Sequence, residues 1–206
     1  LEYIYLDIAK KVGIELFIFE KKQNIIPSEP TNYLTVQEIE CLNKINSSSK
    51  KIEFIAIRQF LTTILHYNKG CLDYLPSGKP VLKNGLNISI SHSKHLIALA
   101  ISSNNLGIDI EEPRQQLLKV FKRFLTPYEL TLTTNWDLNK LSFCWNLKEA
   151  ALKYTGNPKI DFRECIQIIT TDFTSKATIT IHQHNNCKEL NALLITLKNH
   201  TLAVVY

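Results

Sequence analysis

The sequence contains no methionine, at position 1 or anywhere else, only six glycines, and five cysteines that never stand in a Cys-x-x-Cys arrangement. Without a methionine at position 1, the numbering is not expected to begin at a native start codon, and nothing about function follows from that. Odd in number and widely spaced, Cys41, Cys71, Cys144, Cys165 and Cys187 argue against a disulfide framework or a zinc knuckle and are expected to be small buried or half-buried residues in a reducing compartment. Neither Gly-x-x-x-x-Gly-Lys-Ser/Thr nor Gly-x-Gly-x-x-Gly occurs, which removes the common nucleotide-binding loops. No Gly-x-Ser-x-Gly elbow exposes a serine nucleophile, so a Ser/His/Asp hydrolase is set aside. The longest apolar runs are far too short to cross a bilayer, and no charged segment leading into an apolar one opens the chain. No membrane partner is expected, and the cytoplasm is the expected location.

What is present is the composition of a globular chain: 206 residues, 45% hydrophobic and 21% charged, enough for a sizeable core. The length suits two halves of roughly a hundred residues, divided as 1–104 and 105–206 at the Asn104-Asn105-Leu106 crossing. A net charge of +5 gives a mild attraction to anions of many kinds. Lysines and arginines are scattered apart from pairs such as Lys10-Lys11, Lys21-Lys22 and Lys50-Lys51, so no continuous nucleic-acid stripe is expected.

Along the chain, Tyr3 to Leu6 and Ile14 to Phe19 read as paired strands around Gly13, and Asn24 to Asn32 as a loop. Thr35 opens a helix as the start of a capping box with Glu38, and that helix reaches Ile45 before Asn46 to Ser49 breaks the pattern. Ile52, Ile55, Ala56, Phe60, Ile64 and Leu65 then recur at helical spacing. Arg58 lies close to that apolar face, where a snorkelling side chain is one reading and a ligand the other. Gly70 to Gly85 spells consecutive turns around Lys79. Leu86 onward alternates, with Ile88 and Ile90 inward and Ser89, Ser91 and Ser93 outward, before a buried strand over Leu96 to Ile101. Val120 to Phe124 is helical, Thr126-Pro127 caps another helix, and four strand-like runs follow Cys165. His182, His184 and Asn185 sit on a loop rim and read as solvated rather than metal-binding.

Two stretches carry chemistry. In Gly107-Ile108-Asp109-Ile110-Glu111 the period of two puts both carboxylates on one face of a strand. In Trp145 to Lys153 helical spacing puts Glu149 and Lys153 one turn apart, opposite the apolar face of Phe143, Leu147, Ala150 and Tyr154. Three carboxylates and an ammonium suit a magnesium ion that also holds phosphates, since Mg²⁺ takes one or two protein carboxylates and leaves the rest to water and phosphate oxygen. Each stretch alone also reads as a half-buried strand or a surface ion pair. His92, between Ser91 and Ser93, either satisfies a turn or meets a ligand.

The order of the two stretches, Gly-Ile-Asp-Ile-Glu and then Trp-x-x-Lys-Glu-Ala-x-x-Lys, resembles the 4'-phosphopantetheinyl transferases, in the longer, surfactin-synthetase-activating type that modifies synthases for lipids, polyketides and nonribosomal peptides. The resemblance departs at Asn146, where the family carries Ser, Cys or Thr. Gly78-Lys79-Pro80, Ile88 to Ser93 and Glu53-Phe54-Ile55-Ala56-Ile57-Arg58 are similar to the family's coenzyme-binding segments, and the likeness runs from about Glu53 to Ile168.

That resemblance implies an α+β pseudo-dimer of two similar halves, each a small, mainly antiparallel sheet with a long helix, with coenzyme A in the cleft between them. It implies transfer of 4'-phosphopantetheine from coenzyme A to a serine of an apo carrier protein, with release of 3',5'-adenosine bisphosphate. Asp109, Glu111 and Glu149 would hold Mg²⁺. Lys153 would stabilise the leaving phosphate, and Glu149, directly or through a metal-bound water, would take the serine proton. Arg58, Lys79, Pro80, Ser91, His92 and Lys153 would bind the coenzyme, with Arg58 on its 3'-phosphate. Because one chain supplies both sides of the cleft, a monomer is expected. The alternative is a non-catalytic module of the same fold that binds coenzyme A or a carrier protein, against which the intact Asp109, Glu111, Glu149 and Lys153 argue.

Overall fold

In the computed structural model, which describes residues 2–21, 30–183 and 186–206, the chain folds into two antiparallel sheets. The first contains β1 (Tyr3–Tyr5), β2 (Ile14–Glu20), β3 (Leu72–Tyr74), β4 (Pro80–Leu82), β5 (Asn87–His92) and β6 (Leu96–Ser102), in the spatial order β1-β2-β6-β5-β4-β3. The second contains β7 (Gly107–Glu111), β8 (Ile166–Thr171), β9 (Lys176–Gln183), β10 (Asn186–Leu197) and β11 (His200–Val205), in the order β7-β11-β10-β9-β8. The paired first two strands form as the alternation predicts, but a short helix, α1 (Asp7–Lys10), intervenes, and the chain turns into β2 at Gly13 with φ 74°.

Local capping chemistry accounts for most helix starts. The Thr35 hydroxyl accepts from the Glu38 amide and the Glu38 carboxylate accepts from the Thr35 amide, so the expected capping box opens α2 (Val36–Lys44). The serine run expected to interrupt the helices does so only in part. The Ser47 hydroxyl accepts from the Lys50 amide, and α3 (Ser48–Thr63) begins there, because a short hydroxyl side chain favours the N-cap over a loop. Thr126 and Glu129 close a second capping box, yet only a single 3-10 turn over Glu129–Thr131 follows. Glu129 is drawn inward by other partners, and the helix expected there does not form. Helix α4 (Leu117–Phe124) precedes that turn; α5 (Leu138–Thr155) follows it, capped by Asp137 and ended by Gly156 at φ 65°. Most of the loop predicted over 24–32, and both His184 and Asn185, lie outside the described residues.

The layers run α3, first sheet, second sheet, α5. Ala56, Ile57, Phe60 and Leu61 of α3 pack on Phe17, Phe19, Ile88, Ile97, Leu99 and Ile101, while Phe143, Leu147, Ala150, Ala151 and Tyr154 of α5 pack on Ile166, Ile168, Ile179, Ala203 and Val205. Between the sheets, Ile14, Leu16, Ile18, Ala98 and Ala100 meet Ile108, Ile110, Leu193, Ile195, Leu202 and Val204. Two sheets thus share one core, as in a sandwich. Ser89, Ser91 and Ser93 do point away from α3, as the alternation predicts, but they are buried, since the second sheet covers them. The Ser89 hydroxyl accepts from the Ile108 amide and the Ser91 hydroxyl from the Ile110 amide, so serines of β5 satisfy the free edge of β7.

Helix α5 lies directly against β7, and Gly107 makes that possible. A Cβ at position 107 would stand 1.9 Å from the Ala150 carbonyl oxygen and 2.6 Å from the Tyr154 amide nitrogen, both rigid helix backbone. Gly107→Ala should therefore force α5 outward and cost at least the roughly 1–3 kcal/mol of an overpacked core. Urea titration checks this: the midpoint should fall further for Gly107→Ala than for Gly85→Ala, whose open turn adds only the backbone strain of a positive φ. Equal midpoints for the wild type and Gly107→Ala would contradict the close contact.

Candidate active site

Strand β7 and helix α5 bring Asp109, Glu111, Glu149 and Lys153 into one acidic centre. Ile108 and Ile110 enter the core between the sheets, which turns Asp109 and Glu111 to the α5 side. Asp109 is buried, and its Oδ1 accepts from Lys153 Nζ at 2.9 Å and from the Ser91 hydroxyl at 2.8 Å. Lys153 Nζ also donates to Ser91 Oγ at 2.9 Å, so a serine of the first half stands inside the centre. The second Asp109 oxygen, Oδ2, is buried with no hydrogen-bond partner among the described residues. A buried carboxylate oxygen without a donor is costly, and a cation is one group that would satisfy it.

The two glutamates are half-buried. Burial first, and then the negative charge of Asp109, raise both Glu111 and Glu149 above the ordinary glutamate value, against the pull of Arg114 and Lys153. Arg114 Nη2 lies 3.1 Å from Glu111 Oε1. Among the described residues no three acidic, histidine or cysteine side chains close around a single point. The centre is open rather than caged, which suits a small, hard cation that keeps several of its own ligands. Asp109 with its free oxygen, flanked by Glu111 and Glu149, fits that donor set.

Beside the acidic centre runs a cleft of about 310 Å³, lined from the first half by Ser77 to Pro80 and Ile88 to Ile90, and from the second by Glu149, Leu152, Lys153 and Gly156 to Pro158. Lys79 and Pro80 are thus on its wall. Lys79 Nζ donates to Asn105 Oδ1 at 2.7 Å and to the Tyr154 carbonyl at 3.0 Å, where it sits at the C-terminal end of α5, and burial lowers its affinity for a proton. His92 ends β5 on the face opposite Ser91, toward α3, where its Nε2 is 3.2 Å from Glu53 Oε2. Burial lowers the pKa of His92, Glu53 raises it, and the charges of Lys21, Lys153 and Asp109 also bear on it.

Arg58 is placed elsewhere. It is buried with Nε 2.7 Å from Glu38 Oε1, with Nη1 donating to the Phe54 carbonyl, and with its guanidinium 3.4 Å from the centre of the Phe54 ring. That arrangement fastens α2 to α3, and the structure does not bring Arg58 to the cleft. Asn146 likewise serves packing: it is fully buried and its Nδ2 donates to the Thr201 carbonyl at 2.6 Å, next to a Ser142–Thr201 hydroxyl pair at 2.7 Å. The departure at this position therefore lies on the side of α5 that grips β11, three residues before Glu149 in sequence. Sequence reading also missed Glu53 and the Lys148–Glu129 ion pair at 2.9 Å, both sides of which are fully buried. A lysine between an apolar leucine and a glutamate carries no local sign of burial.

Residues 105–205 match the model of the 4'-phosphopantetheinyl transferase superfamily. The 4'-phosphopantetheinyl transferase gsp of Aneurinibacillus migulanus is 26% identical over 108 residues, covering 50% of this chain and 46% of that protein. The 4'-phosphopantetheinyl transferase Sfp of Bacillus subtilis is 32% identical over 94 residues, covering 44% of this chain and 38% of that protein. The match spans less than half the length of either relative. The β7 strand and the α5 helix, which carry the acidic centre, both fall inside the matched residues, and over that span the chain is similar to the 4'-phosphopantetheinyl transferase superfamily.

Proposed function

We propose that this protein transfers 4'-phosphopantetheine from coenzyme A to a serine hydroxyl of an apo carrier protein. The observation that carries the reading is the buried, donorless Oδ2 of Asp109 beside two glutamates of raised pKa, at the edge of a cleft walled by both halves. Asp109, Glu111 and Glu149 are the residues that would hold Mg²⁺, which when bound neutralises pyrophosphate charge and orients the attack. In the transfer, the serine oxygen bonds to the β-phosphorus, the bond from that phosphorus to the bridging oxygen breaks, and 3',5'-adenosine bisphosphate leaves. Lys153, held at the mouth of the cleft by Asp109 and Ser91, meets charge on the leaving phosphate. Glu149, on the wall of the cleft, takes the serine proton. Lys79, Pro80, Ser91 and His92 bind the coenzyme from the first half. A single chain carries both walls, so a monomer suffices, and none of the chemistry calls for nucleic acid or a membrane; no described helix is long and apolar enough to cross one.

Incubation with coenzyme A, Mg²⁺ and several apo carrier proteins, read by intact mass, tests the reading. One phosphopantetheine should be added per carrier, and chelation of the metal should stop it. No mass gain on any carrier, with coenzyme A still bound, would leave the non-catalytic module in its place.

A stability measurement tests the metal site without catalysis. Glu111 and Glu149 hold protons more tightly folded than unfolded, so the folded state binds the extra proton and stability falls as pH rises above the ordinary glutamate value of about 4.3. Mg²⁺ competes with those protons and should flatten the fall. Thermal melts from pH 5 to pH 7 should show a melting temperature that drops in chelator and holds in Mg²⁺, with a shallower drop for Glu149→Gln. Identical slopes with and without Mg²⁺ would exclude a metal among these carboxylates.

A further inference from the structure

We infer that Glu53 of α3 is a positioning residue that holds His92 as a phosphate donor, an inference that rests on the proposed binding of coenzyme A. The Glu53 carboxylate is buried at the seam where α3, the end of β2 and the end of β5 meet. Its Oε1 accepts from Lys21 Nζ at 2.6 Å and from the Ser49 hydroxyl at 3.2 Å, and its Oε2 faces His92 Nε2 at 3.2 Å. A carboxylate can only accept, so Nε2–H is the hydrogen that a protonated His92 presents across this 3.2 Å ion-pair contact. Nδ1 is the nitrogen left for a ligand, and among the described residues nothing is hydrogen-bonded to it. The His92 side chain is 52% exposed, against 11% for Glu53, so the imidazole is open to a ligand while the carboxylate behind it is not.

Free of ligand, the half-exposed His92 is drawn toward the neutral form by desolvation of its inner edge, with Lys21 and Lys153 adding to it, while Glu53 and Asp109 oppose. A phosphate oxygen at Nδ1 adds a second negative charge to that side. The ring then takes up a proton on Nδ1, keeps Nε2–H on Glu53, and donates to both anions at once. Glu53 fixes the orientation of the ring and stabilises the imidazolium, while Lys21 shares the carboxylate and moderates its pull. No bond is made or broken beyond this proton uptake.

The two partners of the carboxylate give opposite expectations. Titration calorimetry with coenzyme A across pH 5.5 to 8.5, in buffers of different ionisation enthalpy, reads both affinity and proton uptake. The unsubstituted protein should bind more weakly as pH rises and should take up a proton near neutrality. Glu53→Gln keeps the shape and loses the charge, so its affinity at pH 7 should fall roughly three- to tenfold and recover at pH 5.5, its profile moved to lower pH. Lys21→Met should move the profile to higher pH. Damage to the fold alone would lower affinity at every pH in both variants and shift neither profile. Unaltered profiles for Glu53→Gln and Lys21→Met, with coenzyme A still bound, overturn the role of Glu53 and leave the proposed function standing. A failure of the unsubstituted protein to bind coenzyme A at any pH overturns the proposed function and this inference with it.

Discussion

Asp109→Ala should lower the rate of phosphopantetheine transfer on the order of 10²–10³-fold or more, the range found when one preorganised electrostatic contact to a reacting group is removed. The size follows from the position of the carboxylate. Asp109 alone in the acidic centre combines burial, a free oxygen and direct contact with both a cation and a residue of the opposite half. Glu111 and Glu149 are half-buried and can find water, whereas nothing among the described residues replaces Oδ2 of Asp109. Its removal also releases Lys153, which would swing toward the remaining glutamates and reduce the negative charge available to a metal.

Asp109→Asn separates these effects. It keeps an acceptor for Ser91 and Lys153 but halves the oxygen count and removes the charge, so its fold should survive while its requirement for Mg²⁺ rises steeply. Single-turnover rates by intact mass, over a range of Mg²⁺, give the comparison. Transfer at the wild-type rate by Asp109→Ala in excess Mg²⁺ would remove Asp109 from the site.

The acidic centre was legible in the sequence because its members are spaced by local geometry. A period of two aligns Asp109 with Glu111, and an i,i+4 step aligns Glu149 with Lys153, whatever the tertiary structure. The capping box at Thr35 and the buried faces of α3 and α5 are readable for the same reason. Pairs that depend on distant segments are not. Arg58 looks identical in sequence whether it meets a phosphate or Glu38, which lies one helix earlier, and the buried carboxylate at 2.7 Å decides its surroundings. Ser91 and Asp109 are 18 residues apart on strands of different sheets, and their contact follows from the packing of β5 along the edge of β7. Alternation shows that Ser89, Ser91 and Ser93 share a face, without showing that a second sheet covers it.

The other large expected effect is on stability, and it arises one residue before Glu149. Lys148 is fully buried, as is its partner Glu129, and burial pulls the lysine toward the neutral form while Glu129 opposes it. Lys148 Nζ donates to the Ile166 carbonyl and reaches the Phe162 and Arg163 carbonyls at 3.4 Å, so one ammonium gathers the loop that leads from α5 into β8. Glu129 is equally committed, accepting from the Thr126 amide at 2.7 Å and the Ile168 amide at 2.8 Å. Lys148→Met fills most of the space but leaves a buried carboxylate without its cation, which costs about 3–5 kcal/mol. For a chain of this size each kcal/mol moves the melting temperature by about 2–4 °C, so a drop of roughly 6–20 °C is expected. Adding Glu129→Gln removes the stranded charge while keeping one acceptor for an amide, and the double variant should be more stable than Lys148→Met alone, a coupling that a double-mutant cycle measures directly. Because Lys148 lies on the core side of α5 and Glu149 on the cleft side, transfer measured at low temperature, where the variant remains folded, should stay close to wild type. A large loss of transfer by a fully folded Lys148→Met would place that lysine in the chemistry instead of the core.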